Sequence, residues 1–141
     1  MRRGFTLIEL LVVLTVSGVL LGLVAHRWAR YQPRLEVHRA AAELASFYGT
    51  ARYAAILRAQ RVRIEVGADT LRAIYEGTTD STFLTRPGPG RYGVRLDASR
   101  AVIRIGPNGL GYGAANAKWV LSRGLAADSF TTSRLGRLKW W

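Results

Sequence analysis

The chain begins MRRGFTLIELLVV (residues 1–13), and one residue in it sets the problem: Glu9 is an isolated acid in a stretch otherwise suited to lipid. From Phe5 to Ala25 the sequence reads FTLIELLVVLTVSGVLLGLVA, with no other charged side chain. As a helix rising about 1.5 Å per residue, it is long enough to cross a hydrocarbon layer of about 30 Å. A carboxylate inside such a segment is costly, and ionisable groups at that depth usually have a partner or a task. A cleaved secretory signal would have a shorter apolar region and a small-residue cleavage site, whereas this stretch continues into LVAHRW. Arg2 and Arg3 suggest twin-arginine export, but the same missing site counts against it. A plain anchor explains the length and leaves Glu9 unexplained. Flanking charge does not orient the span, because Arg2 and Arg3 on one side face Arg27, Arg30 and Arg34 on the other.

With 141 residues, the chain has room for one small globular domain after this segment. There is no cysteine, which removes disulfides and thiolate metal sites from consideration. Lys and Arg number 21 against 9 Asp and Glu, a formal net charge of +12. Such a balance attracts polyanions or an acidic membrane surface.

Past Arg27 the helical pattern becomes amphipathic. Val37, Ala40, Ala41, Leu44, Phe47, Tyr48, Ala51, Ala54 and Ala55 recur at steps of three and four, with Arg39, Glu43, Ser46, Thr50, Arg52 and Arg58 mostly between them. The helix is expected to reach Leu57, with Pro33 bending or interrupting it. Strands are expected at Val62–Val66, Leu71–Glu76, Ser81–Arg86, Tyr92–Leu96, Ala101–Ile105 and Lys118–Ser122, and in a final stretch near Ser129–Trp140. Turn signals at Gly67, Arg86–Gly90, Asp97 and Gly106 separate them. A long helix packed on an antiparallel sheet is an α+β arrangement.

The loop GPNGLGYGAAN (residues 106–116) lacks the following helix and later acid of a dinucleotide site and the lysine of a P-loop, so it reads as a mobile connection between strands. His26 and His38 lie on the helix without metal-ligand spacing, and no serine or paired carboxylates stand out. The chain reads as a non-enzyme with no cofactor.

The stretch Arg2-Arg3-Gly4-Phe5-Thr6-Leu7-Ile8-Glu9-Leu10-Leu11 resembles the leader junction of type IV pilins and pseudopilins. Ile105-Gly106-Pro107-Asn108-Gly109, Lys118-Trp119-Val120-Leu121 and the closing Thr132-Ser133-Arg134-Leu135-Gly136-Arg137-Leu138-Lys139 resemble the GspH/FimT group of minor pseudopilins. The resemblance implies a pilin-like fold: a leader at 1–4, a transmembrane and filament-core helix at 5–25, its amphipathic continuation at 26–60, and a β-rich domain at 61–141. It further implies cleavage after Gly4 by a prepilin peptidase, methylation of the new Phe5 amine, and a single pass through the inner membrane with the globular domain on the periplasmic side. The partners implied are other pilins or pseudopilins, in a type II secretion pseudopilus or a type IV pilus. In such filaments Glu9 would pair with the Phe5 ammonium of its own or a neighbouring chain, where low dielectric strengthens the attraction.

A second reading concerns the tail. From Gly106 onward, Lys118, Arg123, Arg134, Arg137 and Lys139 face a single acid, Asp128, and are interleaved with Trp119, Phe130, Trp140 and Trp141. Cations among aromatics suit phosphate contact with stacking. Relatives in DNA uptake use a G-R-x-R element that Gly136-Arg137-Leu138-Lys139 resembles, which implies double-stranded DNA as an alternative partner. The competing structural reading is a solvated strand edge whose charge discourages edge-to-edge pairing.

Overall fold

The computed structural model describes residues 6–141. Gly4 and Phe5, and with them the expected cleavage site, lie outside the described residues. The chain divides into two compact units between Gln32 and Pro33. One helix, α1, runs Leu7–Leu57. In the first unit, Leu7–Val24 is long and apolar enough to cross a membrane, and none of it is buried by the chain itself.

Pro33 lies within α1 and does not end it. A proline removes one hydrogen bond from the ladder. The turns that follow are held by tertiary packing, since Val37, Ala40 and Ala41 are buried. The second unit takes in this half of α1 together with the strands.

Nine strands follow: β1 (Arg61–Val66), β2 (Thr70–Glu76), β3 (Ser81–Pro87), β4 (Arg95–Ala98), β5 (Val102–Ile105), β6 (Gly111–Tyr112), β7 (Ala117–Arg123), β8 (Ala126–Thr132) and β9 (Leu138–Trp140). They form two antiparallel sheets, in the orders β3-β2-β1-β5-β6 and β4-β7-β8-β9, where the sequence suggested one. The strand expected at Tyr92–Leu96 begins late. Pro89–Tyr92 is a 3-10 turn closed by Gly93 at φ 63°, a conformation that favours glycine, and extended backbone resumes at Arg95. The stretch expected near Ser129–Trp140 is two strands around a turn.

The α1 positions read as apolar form one side of the core: Val37, Ala40, Ala41, Leu44, Phe47, Tyr48, Ala51 and Ala55 are buried, and Ala54 is half-buried. Alternation in β1 points Val62, Ile64 and Val66 at the helix, and β7 contributes Trp119 and Leu121. Trp119 is fully buried between Tyr48 and Phe130, with ring centroids 6.0 and 5.0 Å away at tilted or edge-on angles. Polar pins fasten the periphery. Glu43 accepts hydrogen bonds from Arg91 (2.7 Å) and from the Tyr92 hydroxyl (2.6 Å). Arg123 pairs with Glu36 and donates to the Tyr92 carbonyl at 2.5 Å.

The outward face of the first sheet carries a charged network. Arg63 reaches Asp80 at 2.7 Å and Glu65 at 3.2 Å, Arg104 reaches Glu76 at 2.9 Å, and the Tyr112 hydroxyl donates to Glu76. Burial works against the Glu76 carboxylate, but Tyr112, Arg104 and Arg63 outweigh it and hold its pKa below the ordinary 4.5. Burial, and then the Glu76 contact, pushes the Tyr112 phenol from 10.0 up to about 12. Glu76 therefore contributes stability that is present above pH 4.5 and lost as pH falls through its lowered pKa. Tyr112 contributes stability present below pH 10.0 and lost as pH rises through about 12. Thermal unfolding followed against pH should show both arms, with Glu76→Gln flattening the acid arm and Tyr112→Phe the alkaline one. Arms unchanged in these variants would show the network to be energetically idle.

Candidate functional site

Two places on the chain carry the functional expectations. At the first, Thr6 precedes the first helical residue, its backbone N–H donates to the Glu9 carboxylate (3.4 Å), and the Glu9 N–H donates to the Thr6 hydroxyl (3.3 Å). This is a reciprocal capping box, a Thr followed three residues later by Glu. Glu9 therefore has a partner within its own helix. It answers one of the unsatisfied N–H groups at the helix start and lies at the positive end of the helix dipole. The spacing was present in the sequence as a helix-start signal, and an account of Glu9 as an ion-pair group alone overlooks it. The amine of Phe5 lies outside the described residues.

At the second place, register decides which cations meet. Lys118, Thr131 and Lys139 are directly opposite one another across β7, β8 and β9. Side chains alternate along strands, so the adjacent row, Trp119, Phe130 and Trp140, turns the other way. Trp119 and Phe130 are fully buried in the core and cannot stack on a ligand. Trp140 and Trp141 remain 46% and 69% exposed, and the Lys139 ammonium lies 3.8 Å from the Trp141 ring centroid. A groove of about 530 Å³ is lined by Lys118, Thr131, Ser133, Leu135, Arg137 and Lys139. Three of the five expected cations thus share one groove. The other two are turned to the protein: Arg123 to Glu36 and the Tyr92 carbonyl, and Arg134 to the Gly113 carbonyl at 3.2 Å.

The loops beside the groove are fastened, contrary to the expectation of a mobile connection at 106–116. The Gly106 N–H donates to Leu110, the Gly109 N–H to Gly106, and the Gly111 N–H to the Arg134 carbonyl at 2.7 Å, while Gly111–Tyr112 forms β6. The closing motif is a tight turn. The Ser133 N–H donates to the Arg137 carbonyl, and the Arg137 N–H donates back to the Ser133 hydroxyl. Arg52 of α1 ties both loops down, donating to the Gly109 carbonyl at 2.8 Å and the Leu135 carbonyl at 3.4 Å. Gly109 and Gly136 have φ of 73° and 75°. A β-carbon at Gly136 would collide with the Arg52 guanidinium, and one at Gly109 would collide with Ile56. Arg52 is the structural residue that sequence reasoning missed, because its two partners lie 57 and 83 positions away and leave no local signal. Among the described residues, no group of three or more His, Asp and Glu side chains could hold a metal ion.

A family profile described as the prokaryotic N-terminal methylation motif matches residues 1–25. Two fimbrial proteins of Pseudomonas aeruginosa are each 29% identical to the chain over 114 residues, covering 81% of this chain and 73% of the relative. The fold is similar to crystal structures of the Pseudomonas aeruginosa type IV minor pilin FimU. One superposes with a TM-score of 0.66 at 14% identity, covering 79% of this chain and 92% of that one. A second crystal form gives 0.61 at 13% identity, covering 74% and 91%. The chain thus carries the prokaryotic N-terminal methylation motif at one end and, over most of its length, a fold similar to that of a type IV minor pilin.

Proposed function

We propose that the chain is a minor pilin or pseudopilin subunit of the GspH/FimT group. In this reading a prepilin peptidase cuts after Gly4 and Phe5 is methylated. The subunit waits in the inner membrane with its globular domain on the periplasmic side, then joins other pilins in a filament of a type II secretion system or a type IV pilus. Its role is structural, without catalysis.

One observation carries this reading: the methylation motif over residues 1–25 coincides with an apolar span, Leu7–Val24, of which nothing is buried by the chain itself. Such a surface has to be covered by lipid or by equivalent helices of neighbours. The capping box lowers the cost of carrying Glu9 there by hydrogen-bonding the carboxylate, and leaves its charge available for an ammonium on a neighbouring chain.

Processing is tested by mass spectrometry of the membrane fraction, where methylated Phe5 is the expected N-terminus; mature filaments retaining Met1 would refute the reading. Glu9 variants separate its two uses. Glu9→Gln keeps an acceptor for the Thr6 N–H and removes the charge, whereas Glu9→Val removes both. Both variants should insert into the membrane. Both should enter filaments roughly tenfold less than wild type or worse, as expected for loss of a poorly solvated ion pair. Wild-type assembly of Glu9→Gln would mean that the cap, and not the ion pair, is what assembly needs.

A second reading, a DNA receptor in uptake, is favoured by the groove that gathers Lys118, Arg137 and Lys139 beside the exposed Trp141. A soluble fragment starting near Gln32 should then bind double-stranded DNA with little sequence preference and an affinity that falls steeply with salt. Replacing Lys118, Arg137 and Lys139 by glutamine should weaken binding and lower the salt slope by about one unit per lost phosphate contact, whereas the exposed Arg72 and Arg100 serve as charge controls. Unchanged affinity in the groove variant would remove the receptor reading and leave the filament role intact.

A further inference from the structure

The apolar span ends at Val24, and α1 goes on through Arg27, Trp28 and Tyr31. Arg27 is exposed, Trp28 is 67% exposed and Tyr31 56%. Arg27 and Tyr31 are four positions apart and share a helix face, with Trp28 one step round from Arg27. Large aromatic rings left this far in the open on a helix call for a surrounding that is apolar at one end and wet at the other.

Distance along the helix supplies that surrounding. From the polar cap at Thr6 to Trp28, the rise is about 33 Å at 1.5 Å per residue, against a hydrocarbon thickness of about 30 Å. With the capping box at one interface, Trp28 therefore stands at the other, and Tyr31 lies within one further turn. No Asp or Glu occurs between Leu10 and Leu35, whereas the sequence there carries Arg27, Arg30 and Arg34. The belt is thus positively charged without an acid of its own segment to balance it.

We infer that Arg27, Trp28 and Tyr31 form a binding site for phospholipid headgroups that takes anionic lipids in preference to zwitterionic ones. The guanidinium offers a planar pair of donors to a phosphate, which suits it better than a lysine would. The indole N–H and the phenol O–H reach the glycerol and headgroup oxygens while their rings stay in the upper acyl layer. The clustered arginines add attraction for a negatively charged leaflet. The site sets the depth of the anchor, and leaving the bilayer requires breaking its headgroup contacts. The inference rests on the membrane-anchored reading above.

The test uses the full chain reconstituted in vesicles, carrying Trp140→Phe and Trp141→Phe so that Trp28 is the exposed indole and Trp119 an internal buried reference. Quenching of Trp28 is compared between phosphatidylglycerol and phosphatidylcholine brominated on the acyl carbons nearest the glycerol, at equal mole fraction. The anionic lipid should be favoured roughly fivefold, the worth of a single cation near the charged surface. The ratio should approach one in the triple variant Arg27→Gln, Arg30→Gln, Arg34→Gln, and should shrink with added salt. Trp28→Phe should abolish the signal. Equal quenching in the unsubstituted belt, a preference that survives the triple variant, or a Trp28 that neither lipid quenches in a chain resisting carbonate extraction would overturn the headgroup site alone. Extraction of the chain by carbonate would overturn the anchored reading together with it.

Discussion

Everything beyond residue 33 is built on one stripe of α1. Ala40, Ala41, Ala51 and Ala55 are buried there with Val37, Leu44, Phe47 and Tyr48, and small side chains let strands approach the helix closely. Two sheets use the same stripe. β1 and β5 bring Val62, Ile64, Ile103 and Ile105, and β7 and β8 bring Trp119, Leu121 and Phe130, into one continuous cluster. Trp119, held between Tyr48 and Phe130, is the largest fully buried side chain. Removing a ring of that size costs on the order of 3–5 kcal/mol, a large share of the roughly 5–15 kcal/mol by which a domain is stable. The second sheet therefore depends on its aromatic row, and the cationic row on the other face of the same strands inherits its position from it.

The excess of positive charge is sorted by the fold. Glu36, Glu43, Glu76 and Asp80 are each paired with an arginine of the chain, and in doing so they fasten the 3-10 turn, the end of β7 and the outer face of the first sheet. Exposed pairs of this kind are worth little singly. By contrast, Lys118, Arg137 and Lys139 have no acid among the residues lining their groove. Arg52 works differently. It holds two carbonyls rather than a carboxylate, and it gives the glycines of both motifs a single physical reason.

Seen this way, the two motifs that resemble a family are largely structural. The glycines at 109 and 136 sit in the left-handed region beneath a helix side chain, and Ser133 closes its own turn. Arg137, the residue next to that turn, is then delivered to the groove. The N-terminal motif combines roles in the same fashion: Thr6 and Glu9 start the helix and place a charge at its head.

The sequence by itself determined the elements governed by local or periodic rules. The long apolar run, the three-and-four spacing of Val37 to Ala55, and the alternation in β1 and β7 each follow from helix or strand geometry acting on neighbouring residues. The Thr6–Glu9 cap was legible by the same kind of rule. Tertiary structure alone decided what depends on distant partners. Pro33 stays within the helix because packing further along holds it, the strands divide into two sheets because both can reach the alanine stripe, and the glycine loop is fixed because Arg52 reaches it from the helix. It also decided which cations could act together. Arg123 and Lys118 are indistinguishable as charges in the sequence, yet one is drawn inward to Glu36 and the other stands in register with Lys139, because strand pairing, which is a long-range choice, sets the neighbours of each.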